Sequence, residues 1–173
     1  TYWRCEVIVG GIPMMFGGAV VDATLWGWGR NTSGQIGDGT TTQRASPVQI
    51  GSDTTWAFIA NSTGSDTGHG IKTDGTLWGW GYNAQNQIGD GTTTQRTSPV
   101  QVGSATNWAS TANGDVHSHG IKTDGTLWGW GRNTVGQIGD GTTTQRTSPV
   151  QIGSATNWAS VSNGDLHSHA ITG

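Results

Sequence analysis

Alternation rather than helical periodicity runs through this chain. In Thr-Leu-Trp-Gly-Trp-Gly, residues 126–131, the tryptophans sit two positions apart. A strand sends successive side chains to opposite faces. Trp128 and Trp130 therefore share one face, and Leu127, Gly129 and Gly131 the other. One face carries two large rings, while the other is nearly bare backbone that a neighbouring layer can approach. TNWASVSNG (156–164) alternates loosely and ends in the turn signal Asn163-Gly164. HSHGIKT (117–123) follows the same signal at Asn113-Gly114. Asp124-Gly125 then predicts a two-residue type I′ hairpin, because glycine accepts positive φ. A Gly- and Thr-rich loop, QIGDGTTTQRT, leads into SPVQIG (148–153), a short fourth strand with Pro149 at its start. No segment carries a sustained 3.6-residue apolar period or a helix cap. The class is all-β.

This stretch occurs three times, beginning at Asp22, Asp74 and Asp124. Trp26 and Trp78 are 52 residues apart, Trp78 and Trp128 50. Residues 74–123 and 124–173 differ at 11 of 50 positions, leaving 39 identical, so these copies occupy nearly identical surroundings. The first copy is two residues longer between Trp56 and His69 and is the most diverged. Four short antiparallel strands per repeat predict one sheet per repeat. Sheets with one bare face complete their cores on their neighbours, which predicts the blades of a β-propeller. The expected organisation is a diverged half-blade or amino-terminal segment at 1–21, then repeats at 22–73, 74–123 and 124–173. That is about three blades, a partial ring unless other chains complete it.

Composition narrows the function. Charged residues are 11% of the chain, against about 25% in a typical soluble domain. With 30 glycines, 10 tryptophans and few aliphatic residues, tryptophan must carry much of the burial, at about 150–250 Å² each. A net charge of −3 gives no general attraction to a phosphate backbone, so no nucleic-acid partner is expected. Cys5 stands alone, which excludes an intramolecular disulfide and a cysteine metal cluster. Residues 7–21 are apolar but too short for a span, and Pro13 and glycines interrupt them; Glu6 argues against a signal segment. The glycine-rich stretches lack the Lys-Ser/Thr ending of a phosphate loop. No G-x-S-x-G elbow occurs, and Thr1 has no evident base to activate it. No enzyme and no cofactor are expected.

Four sets of residues carry candidate chemistry. His117 with His119, and His167 with His169, alternate along a strand, the spacing of two imidazoles on one zinc or copper ion. Only His69 remains in the first copy, so metal binding is the weaker reading. Asp38, Asp90 and Asp140 each sit in an Ile-Gly-Asp-Gly-Thr-Thr-Thr loop, where carboxylate, hydroxyls and carbonyls could hold calcium. One acid per loop favours a turn in which the Asp bonds its own backbone. The tryptophan pairs 26/28, 78/80 and 128/130 could stack sugars or bases, but are expected to be core. Arg44, Arg96 and Arg146 recur in the long loop of each repeat and could line one rim of the ring as interaction residues for an anion or carboxylate. Sequons occur at Asn31 and Asn61.

Five blocks then carry a resemblance. Gly114-Asp115-Val116-His117-Ser118-His119-Gly120-Ile121 is followed by Asp124-Gly125 and Leu127-Trp128-Gly129-Trp130-Gly131-Arg132-Asn133. Gly136-Gln137-Ile138-Gly139 comes next, and Pro149, Val150 and Ile152 lie in the closing segment. In order and spacing these blocks resemble the regulator-of-chromosome-condensation repeat, over about residues 22–173. The resemblance implies a β-propeller of four-stranded blades, usually seven to a ring, with the tryptophan pairs in the blade core. It also makes the first histidine of each pair a structural hydrogen-bonding residue. This chain departs from the pattern: Ala23 replaces the hairpin glycine, and Thr67 stands where later copies have His117 and His167. Three repeats do not close a seven-bladed ring, and an open one leaves apolar faces wet. Copies of this chain are therefore expected to assemble with one another, as a six-bladed dimer for instance, or the chain docks on another protein or belongs to a longer one.

The functional expectation is a non-enzymatic interaction and assembly module with protein partners and polar, charge-poor loops. The setting favoured is extracellular or on a virion surface, as in an adhesin or a phage tail or fibre. Alternatives are a guanine-nucleotide exchange factor or chromatin binder, which the resemblance suggests, a propeller-type enzyme inhibitor, and a glycan-binding adhesin.

Overall fold

The structure, a computed structural model, describes residues 23–62 and 64–173; the half-blade expected at 1–21 lies outside them. Every regular element among the described residues is a strand. β1 (Trp26–Gly29) pairs with β2 (Arg44–Gln49). β3 (Trp56–Ala60), β4 (Thr67–Lys72), β5 (Leu77–Gly81) and β6 (Arg96–Gln101) form one antiparallel sheet in that order. β7 (Trp108–Asn113), β8 (His117–Lys122), β9 (Leu127–Gly131) and β10 (Arg146–Gln151) form the next. β11 (Trp158–Asn163) pairs with β12 (Ser168–Thr172). β7 packs on β3 and β4, and β11 on β7 and β8. The chain is thus a partial propeller, with two complete blades between two half-blades among the described residues.

Blades and repeats are out of phase. The first complete blade takes β3 and β4 from repeat 22–73 and β5 and β6 from repeat 74–123. The tight turn at Asp74-Gly75 keeps β4 and β5 in one sheet, whereas the connection from β2 to β3 crosses to the next. That turn differs from the expected two-residue hairpin. In its twin, Gly125 N–H donates to Lys122 O (2.9 Å) and Lys122 N–H to Thr126 O (3.0 Å). Gly125 has φ +75° while Asp124 is not in the left-handed region, so this is a three-residue loop closed by a glycine bulge. The cause is Asp124, whose Oδ1 accepts from Thr126 N–H (3.0 Å) and Oγ1–H (2.6 Å), an Asx turn compatible with negative φ.

The cores lie between sheets as well as within them. Leu25, Ile36 and Ile50 of the first half-blade cluster with Trp56 and Trp80 of the next blade. Ile71, Leu77, Ile88 and Val102 cluster with Trp108 and Trp130 of the blade after that. Within each complete blade three tryptophans meet edge to face. Trp56 lies 6.3 and 6.0 Å from Trp78 and Trp80, and Trp108 lies 6.2 and 5.9 Å from Trp128 and Trp130. Such contacts add about 0.5–1.5 kcal/mol beyond area burial. Lys72 Nζ stands 3.7 Å from the Trp78 ring centroid, and Lys122 Nζ 3.7 Å from that of Trp128. Trp80 and Trp130 are buried and Trp78 and Trp128 half-buried. Trp26 and Trp28 depart from the expectation of core: they are 47% and 64% exposed. The free edge of β1 has no strand beside it among the described residues, and none of these closes over the two rings.

Candidate interaction rim

Each repeat places one long loop, between the third and fourth strands of a blade, on the same rim. Its frame is invariant: Asn31, Gln35-Ile36-Gly37-Asp38-Gly39-Thr40-Thr41-Thr42-Gln43-Arg44 and the matching residues of the later copies. Asn83 is fully buried. Its amide donates to Asp90 Oδ1 (3.1 Å) and to the carbonyls of Thr92 (2.9 Å) and Thr94 (3.1 Å). Its Oδ1 accepts from Ile88 N–H (3.0 Å). Asn31 and Asn133 do the same, so the sequon at Asn31 is closed to modification in the folded chain.

The loop aspartates and arginines bind each other. Asp38 Oδ1 accepts from Thr40 N–H (3.0 Å) and Oγ1–H (2.8 Å), and its Oδ2 from Arg44 Nε–H (2.6 Å). Arg96 meets Asp90 at 2.7 Å and Arg146 meets Asp140 at 2.6 Å. Burial pushes these carboxyls up, but the hydrogen bonds from threonine and arginine outweigh it and hold Asp38, Asp90 and Asp140 below the ordinary carboxylate value. The oxygens offered for calcium thus face donors, and the arginines brace the loops while keeping about 30% of the side chain exposed.

The histidines stitch blades together. His69 Nε2 donates to Ile88 O (3.1 Å) and Nδ1 lies 2.7 Å from Asn113 Oδ1 on the next blade. His119 repeats this with Ile138 O and Asn163, both 2.9 Å. His117 Nε2 meets Ser168 Oγ across the blade boundary (2.8 Å), and Thr67, in the matching place, donates to Tyr82 O (2.6 Å). Burial holds the affinity of His69 and His119 for a second proton down, against their acceptors, which raise it. His117 falls to about 4 through burial and the neighbouring His119 and His167. The paired rings of 117/119 and 167/169 stand edge to face, 5.5 and 5.3 Å apart, and His167 and His169 lie exposed on the last half-blade. Among the described residues no three His, Cys, Asp or Glu side chains gather as metal ligands. Sequence reasoning did not single out Asn83 or Lys72 and named Asn113 only as a turn signal, not as a link between blades; recurrence at one place in the repeats was the available signal for the two asparagines.

On this frame, solvent-facing positions vary. Position 82 is Tyr where 30 and 132 are Arg, and the residues that follow the frame asparagine read Thr32-Ser33-Gly34, Ala84-Gln85-Asn86 and Thr134-Val135-Gly136, of which Thr32, Ala84, Thr134 and Val135 are exposed and Gly34 and Asn86 buried. Val116 and Leu166, in the turns before β8 and β12, complete the set. Tyr82, Val135 and Leu166 are exposed. Asp66 ties the first two loops, accepting from Ser33 Oγ–H (3.0 Å) and Gln35 Nε2–H (2.7 Å) and pairing with Arg30 (3.4 Å). A rim groove of about 180 Å³ runs past Ser33, Asp66, Tyr82, Asp115 and Val116.

The sequence profile described as "Regulator of chromosome condensation (RCC1) repeat" matches residues 22–67, 74–120 and 124–171. The chain belongs to the RCC1 repeat family. Among curated proteins it is similar to the ultraviolet-B receptor UVR8 of Arabidopsis thaliana, 30% identical over 84 residues, which are 49% of this chain and 19% of the receptor. It is similar also to protein RCC2 of Mus musculus, 34% identical over 82 residues, 47% of this chain and 16% of that protein. These matches span less than a fifth of the relatives' length. The fold matches Prp20p of Saccharomyces cerevisiae, a structure studied with its binding to Gsp1p and histones, at TM-score 0.75 and 20% identity over 85% of this chain and 39% of that one. Yeast RCC1 (Prp20) bound by Kap60 gives TM-score 0.68 at 19% identity, over 85% of this chain and 37% of the other. An RCC1-type partial propeller with three repeats is therefore the architecture on which any function rests.

Proposed function

We propose that this RCC1-type chain is a non-enzymatic protein-binding module that recognises its partner with the loop rim bearing Arg30, Tyr82, Arg132, Val135 and Leu166. One observation carries the reading. Of the 11 differences between the second and third repeats, five fall on this rim, and four of these, 82/132, 84/134, 85/135 and 116/166, reach solvent, while Asn86 of the fifth is buried and donates to Thr92 O; the rest of the loop frame does not change. A rigid frame with varied exposed tips is how loops on a scaffold carry specificity. Arg44, Arg96 and Arg146 stand beside the same loops, and their remaining guanidinium N–H groups would meet a partner's carboxylate. The setting proposed is a microbial or virion surface; sparse charge and Thr- and Asn-rich loops support it. A glycan partner or an inhibited enzyme would use the same rim.

A second reading, binding of a small GTPase or of histones, follows from what Prp20p binds. On this chain a basic partner is favoured by Asp66 and Asp115, which flank Tyr82 in the rim groove. Affinity capture tests both readings with three baits: the native chain, a rim variant (Tyr82→Ala with Leu166→Asp) and an opposite-rim variant (Asp53→Ala). The native and opposite-rim baits should hold one common partner that the rim variant releases. Equal capture by all three would refute the rim assignment. Histone binding and nucleotide release from a small GTPase, assayed directly, separate the second reading from the first.

A further inference from the structure

Two neighbouring junctions of the rim are built alike but finished differently. At the first, Asp66 gathers the donors: Gln35 Nε2–H (2.7 Å), Ser33 Oγ–H (3.0 Å) and the Arg30 guanidinium (3.4 Å). The Gln35 amide is held in that pose by its Oε1, which accepts Ser33 N–H (2.9 Å). At the second junction the same places hold Gln87, Gln85 and Tyr82, and Val116 takes the place of Asp66. Gln87 Oε1 accepts Gln85 N–H (2.8 Å), so its amide adopts the same pose. Its Nε2 is thereby aimed toward Val116, whose side chain has no oxygen. Gln87 is 1% exposed, and its Nε2 has no acceptor among the described residues. Gln137 repeats the pose, with Val135 N–H on its Oε1 (3.1 Å) and an Nε2 likewise without an acceptor among them.

Gln87 and Val116 both line the rim groove of about 180 Å³, together with Ser33, Asp66, Tyr82 and Asp115. These residues come from the first half-blade and both complete blades, so the groove stands away from the open edges. A buried donor without an acceptor is unfavourable, and an oxygen entering the groove completes the junction. The kind of oxygen follows from what replaces the parts of the first junction. Tyr82 stands in place of Arg30, no cationic residue lines the groove, and two carboxylates do. An entering carboxylate is therefore repelled, and a neutral carbonyl is preferred. Asp66 already holds its donors. Asp115 is exposed and has no hydrogen bond or ion pair among the described residues, so a cation beside the carbonyl finds a free partner. A peptide with lysine or arginine presents both groups, with its aliphatic stem against Val116 and the Tyr82 ring.

We propose that this groove binds a basic peptide segment of a protein partner. A main-chain carbonyl of the segment takes the Gln87 amide, and a lysine or arginine side chain takes Asp115 beside the Tyr82 ring. At Asp66 the chain supplies the oxygen itself; at Val116 the partner supplies it. The proposal rests on reading the rim as a protein-binding surface and names the partner's chemistry there.

NMR titration of the isotope-labelled chain, read at the Gln87 side-chain amide, tests it. The probes are N-acetyl-Gly-Arg-Gly amide, the matching glutamate peptide and methyl glucoside. The arginine peptide should shift the Gln87 amide saturably, and the glutamate peptide should bind about tenfold more weakly or worse. Val116→Asp repeats the Asp66 arrangement, so it should occupy the Gln87 amide from within and abolish the shift, with unchanged circular dichroism. Asp115→Asn, on the surface, should weaken the arginine peptide about two- to fivefold. Equal binding of the two peptides overturns the proposal, as does arginine-peptide binding undiminished in Val116→Asp. A shift with methyl glucoside alone overturns it in favour of a sugar site. No shift with any probe overturns it too, leaving the amide to water. Nuclear Overhauser contacts from the Gln87 amide to residues 1–22 in the free chain would make the occupant internal and end the proposal. The three capture baits are read separately. If the rim variant releases the partner yet no peptide reaches Gln87, this proposal falls and the rim reading stands. A peptide bound at Gln87 with equal capture by all baits refutes the wider rim and keeps the groove.

Discussion

The indole of Trp80 lies flat on Gly37 of the preceding sheet and donates its N–H to Gln35 O, 2.9 Å away. This ring-on-glycine contact couples one blade to the next, and it recurs between Trp130 and Gly89. Both glycines have positive φ, +87° and +83°, so the backbone there is shaped for glycine twice over, by conformation and by the ring above it.

Gly89→Ala and Gly139→Ala should therefore differ although they alter the same place in consecutive repeats. Both take on the left-handed strain, about 1–2 kcal/mol. Only Gly89→Ala also forces a methyl against Trp130, adding about 1–3 kcal/mol. Urea unfolding at dilute protein should rank Gly139→Ala as the milder change. Equal midpoints would mean that the ring does not press on Gly89.

Stability should fall with acid in two steps. Folded His69, His119 and His117 resist the proton that the unfolded histidines take up near pH 6.5. Uptake by the unfolded chain then exceeds uptake by the folded one. Their contribution is complete above about pH 6.5 and is lost as pH falls, continuing for His117 to about 4. Asp38, Asp90 and Asp140, held low by their donors, add a second loss below about pH 4. Urea midpoints across pH 3–8 check both steps, and His117→Gln should flatten the first.

Removal of a loop carboxylate should cost more than removal of its arginine. Asp90→Ala strands the Thr92 hydroxyl and N–H together with Arg96 Nε–H, while the Asn83 amide keeps the Thr92 and Thr94 carbonyls, about 1–3 kcal/mol. Arg96→Ala leaves the carboxylate with its threonine and asparagine donors, about 1 kcal/mol. Hydrogen exchange over residues 90–95 should quicken in both, further in Asp90→Ala.

Lys72 reaches 3.7 Å from the Trp78 centroid, 5.1 Å from that of Trp56, and 2.7 Å from Asp53 Oδ2. Lys72→Met keeps the packed stem and removes the cation, so about 0.5–2 kcal/mol should be lost. Lys72→Arg should retain most of it. Thermal unfolding of the three proteins decides between charge and packing.

Strands, the places of the turns, the tryptophan face and the repeats were legible along the chain, because alternation and glycine placement are local properties of a pleated backbone. The family blocks were legible for the same reason. What covers each buried face was not. Trp28 and Trp130 stand in the same Leu-Trp-Gly-Trp-Gly string, yet one is bare and the other sealed, since that depends on the strand laid beside each. The two-residue turn expected at Asp124-Gly125 became three because an aspartate side chain captured Thr126. Arg96 read as a rim residue for an outside anion or carboxylate, until folding brought Asp90 of its own loop onto it. His69 meets Asn113, 44 residues away, only when two sheets stack. A local pattern records which side of a strand must leave water; stacking, in which distant loops and rings are forced together at close-packed density, chooses the partner that receives it.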